Sequence, residues 1–232
     1  MPMKALARKP RSPSRGRQKA LTAGTDAARE RILAVAEELF HAQGYAHTTL
    51  DQIARALGAS KPYVYYYFHN KLEIFETLSW RPAVACFTAL DFPPDDARPA
   101  HEKVVEGLSR LIHATLAHYP AAFFPYREPQ VYRPAYAAAQ RKLARHFYDQ
   151  LCALLEQGRR EGMLDFAETR ITALSAGSIP GFLYSWYRPG GRLAPQAVGD
   201  ELTRLVCRVI GLRVAPEGSA FTPPTHHRRR KP

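Results

Sequence analysis

The stretch Thr49-Leu50-Asp51-Gln52-Ile53-Ala54-Arg55-Ala56-Leu57-Gly58-Ala59-Ser60-Lys61-Pro62-Tyr63-Val64-Tyr65-Tyr66-Tyr67-Phe68 decides how this chain is read. Thr49 opens it with a hydroxyl that caps free helix amides, and Gln52, three residues on, reaches back in a capping box. Leu50, Ile53, Ala54 and Leu57 then share one stripe, and Gly58 ends the helix. Ser60 starts another at once. Two short helices joined by Gly58-Ala59-Ser60 have the spacing of a helix-turn-helix. In the second of them Val64 and Phe68 lie four apart and face a core. At about 100° per residue, that turns Pro62, Tyr63 and Tyr66 outward, flanked by Tyr65 and Tyr67.

Before Thr49 the pattern is helical from Asp26, with Ala28, Ile32, Val35, Ala36, Leu39 and Phe40 at three- and four-residue steps. This helix runs to about Ala42, Gly44 takes the left-handed position that stops it, and Tyr45 folds back as an apolar plug. After Phe68, Asn70 caps a further helix with Glu73 at its third position. Lys61 and Lys71 each sit in the first turn of a helix, where free amides favour phosphate. Residues 26–71 hold five basic and five acidic side chains, whereas 59–71 carry these two lysines and no acid. Local placement, not net charge, must therefore attract a polyanion. Phenolic hydroxyls that point away from a core suit phosphates and base edges. For Tyr65, packing within the domain stands beside that reading.

The runs Arg31-Ile32-Leu33, Leu39-Phe40, Gly44-Tyr45, Thr48-Thr49, Ile53-Ala54, Gly58-Ala59-Ser60-Lys61, Tyr65-Tyr66-Tyr67-Phe68 and Asn70-Lys71 together resemble the DNA-binding domain of the TetR family in order and spacing. By that resemblance Thr49, Lys61, Pro62, Tyr63, Tyr66, Tyr67 and Lys71 meet double-stranded operator DNA. Ser60 and Tyr65 complete the candidate DNA-binding set. Pro62 departs from the family, which often carries a small residue there, usually glycine; proline early in a helix is otherwise acceptable. The resemblance implies a helix-turn-helix domain over 26–72, a ligand-binding and dimerisation domain over 73–212, and a homodimer that represses until a small molecule releases it.

The rest of the chain reads as helices interrupted by proline, so the fold class is all-α: an N-terminal three-helix domain and a larger helical one. Pro82 should kink or end the helix that starts at Lys71. Residues 101–118 form an amphipathic helix, and 135–161 a long one stopped by Gly162. Between them Pro120, Pro125, Pro129 and Pro134 break up a segment holding Phe123, Phe124, Tyr126, Arg127, Tyr132 and Arg133. These aromatics either plug the core or wall a ligand pocket whose arginines meet a carboxylate or phosphate. The candidate pocket set is Phe123, Phe124, Tyr126, Arg127, Tyr132, Phe147, Phe182 and Trp186.

The final helices, 171–187 and 196–212, carry Gly177, Ser178 and Gly181, then Val198, Leu202, Leu205 and Val209. Burial within one subunit explains these residues; the TetR resemblance instead puts the dimer's four-helix bundle there. Trp186-Tyr187-Arg188-Pro189-Gly190-Gly191-Arg192-Leu193 resembles a signature of a TetR subgroup that includes regulators of lipid and steroid-ring catabolism, some responsive to acyl-CoA thioesters. An acyl-CoA thioester is accordingly a candidate effector.

The formal net charge is +12, of which residues 1–25 and 213–232 supply +11. Both arms are expected to be disordered, as solvated tails or as flexible phosphate-contacting arms. Cys86, Cys152 and Cys207 lie far apart and suggest neither a zinc site nor disulfides, which fits a cytoplasmic, nucleoid-associated protein. No apolar run is long enough for a membrane span, and no apolar leader follows the basic start. No metal motif, nucleophile elbow or phosphate loop occurs, so neither an enzyme nor a cofactor is expected. Two other readings stay open: an architectural protein that coats DNA without sequence preference, and a helical small-molecule carrier that ignores DNA.

Overall fold

The computed structural model describes the backbone of residues 15–213 and the side chains of 24–213. Apart from 15–25 and Arg213, the two expected arms lie outside the described residues. The helices are α1 (Arg15–His47), α2 (Leu50–Ala56), α3 (Lys61–Tyr67), α4 (Lys71–Phe87), α5 (Ala100–Ala117), α6 (Phe124–Arg127), α7 (Pro134–Arg160), α8 (Thr169–Ser178), α9 (Leu183–Trp186) and α10 (Pro195–Val209). Short 3-10 turns at Ala121–Phe123 and Ile179–Phe182 lead into α6 and α9. The described residues contain no strand, only one antiparallel bridge between Leu164 and Leu212.

Helix α1 begins at Arg15, earlier than the apolar stripe from Asp26 predicts. Lys19-Ala20-Leu21 and Ala27-Ala28 are strong helix formers, so the backbone coils before there is a face to bury. Gly44, at φ +81°, breaks the helix where a side chain would be strained. Tyr45 then lays its ring 5.7 Å from Phe40 and 4.8 Å from Phe75.

Helix α4 continues through Pro82 to Phe87 instead of ending there. Proline costs about 3 kcal/mol inside a helix; buried Leu78, Ala83 and Cys86 on either side supply packing that holds it. The single helix expected over 171–187 is three pieces, because Pro180 has no amide to continue the ladder and the backbone tightens into a 3-10 turn.

Packing divides the chain into two compact units. The first joins the described residues up to Ala85 with Ala114–Leu143, and its core is Ile32, Leu33, Phe40, Ile53, Val64, Phe68, Ile74, Phe75 and Phe124 with their smaller neighbours. The second joins Cys86–His113 with the described residues from Ala144 onward. Its buried side chains include Val104, Leu108 and Ile112 of α5, Phe147, Leu151 and Leu155 of α7, Ala173 and Ala176 of α8, and Val198 and Val206 of α10.

Candidate nucleic-acid interface

Thr49 makes both halves of its capping box: Gln52 N–H donates to Thr49 Oγ1 at 3.2 Å, and Thr49 N–H donates to Gln52 Oε1 at 2.7 Å. Gln43 Nε2 also donates to Gln52 Oε1, at 3.2 Å, and to Thr48 Oγ1, at 3.2 Å. The start of α2 is thereby fixed by two glutamines whose amides are already in use.

Ser60 takes the extended N-cap backbone of α3, yet its side chain makes no capping bond, unlike the cap read from its sequence position. Instead, α3 is held from behind. Val64 and Phe68 are both 0% exposed, Arg29 Nη1 donates to the Tyr67 carbonyl at 2.5 Å, and its guanidinium lies 4.1 Å over the Phe68 ring. Glu73 approaches Arg29 at 3.9 Å, and Glu73 N–H is capped by Asn70 Oδ1 at 2.9 Å.

With that side anchored, the other side of α3 faces out. Tyr66 is 79% exposed, Tyr65 48%, and Lys61 and Pro62 are exposed too. Tyr63 and Tyr67 are half-buried and rest on one another at 5.1 Å; Tyr66 stands edge-on to Tyr67 at 4.9 Å. Partial desolvation and the Tyr63 hydrogen bond hold the Tyr67 phenol above its ordinary pKa. These tyrosines offer neutral hydroxyls and ring faces, and no anion.

Two lysines behave differently from what spacing suggests. Lys61 Nζ donates to Asp51 Oδ2 at 3.1 Å, a pairing across ten residues that also raises its pKa. Lys71 points inward: its Nζ donates to the carbonyls of Tyr45 at 2.6 Å and Thr48 at 2.7 Å, 4.1 Å from the centre of the Tyr45 ring. Burial lowers the Lys71 pKa. Lys71 thus closes the Gly44 turn, and its charge is spent on backbone.

Because the Asp51 pair competes with any phosphate for Lys61, Asp51→Asn should tighten DNA binding about two- to fivefold at low salt, the scale of one exposed ion pair. The dependence on salt should also steepen. Titration at several salt concentrations checks this. Unchanged affinity and slope would place Lys61 off the contact surface.

The candidate pocket residues fall into both units. Phe123 and Phe124 are buried in the first, where Phe124 stacks on Phe75 at 5.0 Å and meets Phe40 edge-on at 6.2 Å. Tyr132 stacks on Tyr136 at 4.8 Å and shares a hydrogen bond with Ser79 at 2.8 Å, and burial raises its pKa. Buried Glu76 fixes the same segment by accepting from Arg133 N–H at 2.9 Å and Arg133 Nε at 2.7 Å. Tyr126 and Arg127 are exposed, and Arg127 Nη1 lies 3.1 Å from His41 Nδ1. In the first unit these aromatics mainly pack.

In the second unit Phe147 is core, while Phe182 and Trp186 are exposed. Trp186, with Arg188, Arg192, Leu193 and Val198, lines an open cavity of about 230 Å³. The candidate dimer residues also divide. Val198 and Leu202 turn into their own subunit, Gly177 is pressed against Tyr148, Ser178 is exposed and Gly181 half-buried. Leu205 and Val209 of α10 are 39% and 40% exposed, alongside Ile171 and Leu174 of α8 and Phe182.

The sequence profile described as "Bacterial regulatory proteins, tetR family" matches residues 32–78, α3 included, and that described as "Tetracyclin repressor-like, C-terminal domain" matches 97–210. The chain belongs to the TetR family. Among its relatives is the HTH-type transcriptional regulator SrpR of Pseudomonas putida, 39% identical over 88 residues, 37% of this chain; the match spans 40% of SrpR's own length. A TetR-family regulatory protein from Rhodococcus RHA1 superposes with a TM-score of 0.70 at 20% identity, covering 81% of this chain and 98% of that one. AibR, solved in complex with isovaleryl coenzyme A and operator DNA, superposes with a TM-score of 0.65 at 17% identity, covering 80% of this chain and all of its own. These two likenesses concern the fold.

Sequence reasoning within the TetR pattern missed Asp51, Arg29 and Gln43. Each acts across a turn or between helices, so no periodicity marks it. Among the described residues no group of three or more His, Cys, Asp or Glu side chains is arranged to hold a metal ion, and no helix is long and apolar enough to cross a membrane.

Proposed function

We propose that this TetR chain is a ligand-responsive, DNA-binding transcription regulator that occupies a palindromic operator as a homodimer and is released by a small apolar or acyl-CoA-like effector. The observation that carries this reading is the orientation of α3: Tyr66 is 79% exposed while Val64 and Phe68 are fully buried. A seven-residue helix anchored by one face and bare on the other, second in a helix-turn-helix, suits insertion into a major groove.

The unpaired apolar side chains of α8, Phe182 and α10 support self-association, since a face of that kind is costly in water. Two subunits would then carry two recognition helices to half-sites one helical turn apart. In that arrangement 26–72 serves as the DNA-binding head and 73–212 as the effector and dimer body, working in the cytoplasm. AibR, of the same fold, was crystallised with an acyl-CoA and operator DNA. Trp186, Arg188 and Arg192 offer this chain an aromatic and cationic surface for such an anion.

Purified protein mixed with fragments of its source genome should retain a small set of specific fragments, and isovaleryl-CoA or longer acyl-CoA esters should release them. Retention of all fragments alike would favour the architectural reading. Retention of none, with acyl-CoA still bound, would favour the carrier.

A further inference from the structure

We infer that α3 reads its operator through thymine methyl groups, with Pro62 and Tyr66 as the specificity-determining residues; this rests on the DNA-binding reading above. The argument begins with what α3 lacks. Sequence is read in the major groove by a short list of pairings: Arg or Lys on guanine, Asn or Gln on adenine, Asp or Glu on cytosine, and apolar groups on the thymine methyl. Lys61–Tyr67 is Lys-Pro-Tyr-Val-Tyr-Tyr-Tyr, with no Arg, Asn, Gln, Asp or Glu.

Its one candidate for guanine, Lys61, is held by Asp51 at 3.1 Å. The nearest amides, Gln43 and Gln52, are committed to each other and to the Thr49 cap. What remains is apolar. Pro62 and Tyr66 are four residues apart, so they share one face of the helix, and both are exposed. Tyr67 supports the Tyr66 ring edge-on at 4.9 Å, so Tyr66 presents a ring face of fixed orientation. A pyrrolidine ring and a phenol ring side by side cannot distinguish donor from acceptor patterns across several base pairs. They can distinguish a methyl group from a hydrogen, because only the methyl fills the contact and leaves water.

The test uses the full-length protein and a specific duplex recovered from genomic fragments. Thymines in each half-site are replaced one at a time by deoxyuridine, which removes the methyl and leaves every hydrogen-bonding group in place. Affinity should fall about threefold per contacted methyl, the scale of burying one such group, at two or more positions per half-site. Tyr66→Ala and Pro62→Ala should each bring the thymine-to-uridine ratio at their own position close to one. Tyr66→Phe should leave that ratio intact. Tyr66 is exposed, so loss of fold is not expected in these variants, and circular dichroism verifies it.

A specific duplex whose affinity ignores every deoxyuridine overturns this inference alone. Failure to recover any specific duplex overturns the regulator reading, and this inference with it.

Discussion

Tyr66→Ala should weaken binding to a specific operator duplex roughly ten- to hundredfold, the range for losing one base-reading contact, while leaving the melting temperature within about a degree. The two halves of this expectation separate function from folding. Tyr66 contributes little to the core, since it is 79% exposed and touches chiefly Tyr67. Exposed substitutions away from special backbone or caps change stability by less than about 0.5 kcal/mol. Binding to unrelated DNA at low salt should survive, because that component comes from lysine and arginine on phosphates. Competition titrations with specific and random duplexes measure both. An equal loss on both duplexes would move Tyr66 from base reading to general phosphate contact; no loss on either would remove α3 as the reading element.

Gly211→Ala should be among the most damaging single changes in the second unit. Gly211 has φ +60°, and a Cβ placed there would sit 1.8 Å from the Asp165 carbonyl oxygen, which is backbone and cannot swing away. The surrounding pairing fixes the approach: Asp165 N–H donates to the Gly211 carbonyl at 3.0 Å, and Arg213 N–H donates to the Met163 carbonyl at 3.0 Å. Left-handed strain alone costs about 1–2 kcal/mol. The clash adds to it, so the total should reach about 3 kcal/mol or more, near 10 °C in melting temperature for a chain of this size.

Gly162→Ala is the internal comparison. It has φ +75° and nothing within 4 Å of the added Cβ, so it should show the strain component only. Thermal unfolding of both variants decides this. Equal losses would mean that the Leu164–Leu212 bridge opens freely and closes nothing.

The contrast between α2 and Lys71 shows which parts of this molecule are legible in one dimension. The capping box of Thr49 and Gln52 acts over three residues, so local spacing dictates it and the geometry agrees. Val64 and Phe68 likewise point inward for reasons of helical period alone. Lys71 is different. Its position in the first turn of α4 suits a phosphate contact, but the break at Gly44 brings the Tyr45 and Thr48 carbonyls to it from 26 and 23 residues away, and burial favours satisfying them.

Asp51 escapes for the same reason: its partner lies ten residues on, across the turn. In the second unit the apolar stripe of α10 was visible, but not how it divides. Val198 and Leu202 face their own core while Leu205 and Val209 face out, because a stripe wide enough for two partners has no internal boundary until both are present. The aromatic segment 119–136 is ambiguous for a related reason, since Phe124 serves a core and a pocket wall with the same chemistry.

The orientation of α3 in a groove is tested most directly by hydroxyl-radical footprinting of the full-length protein on a specific duplex. The account predicts two protected patches about 10 base pairs apart on one face of the DNA, both lost together when Tyr63 and Tyr66 are replaced by alanine. Even protection along the whole duplex, or patches that persist in that double variant, would contradict it.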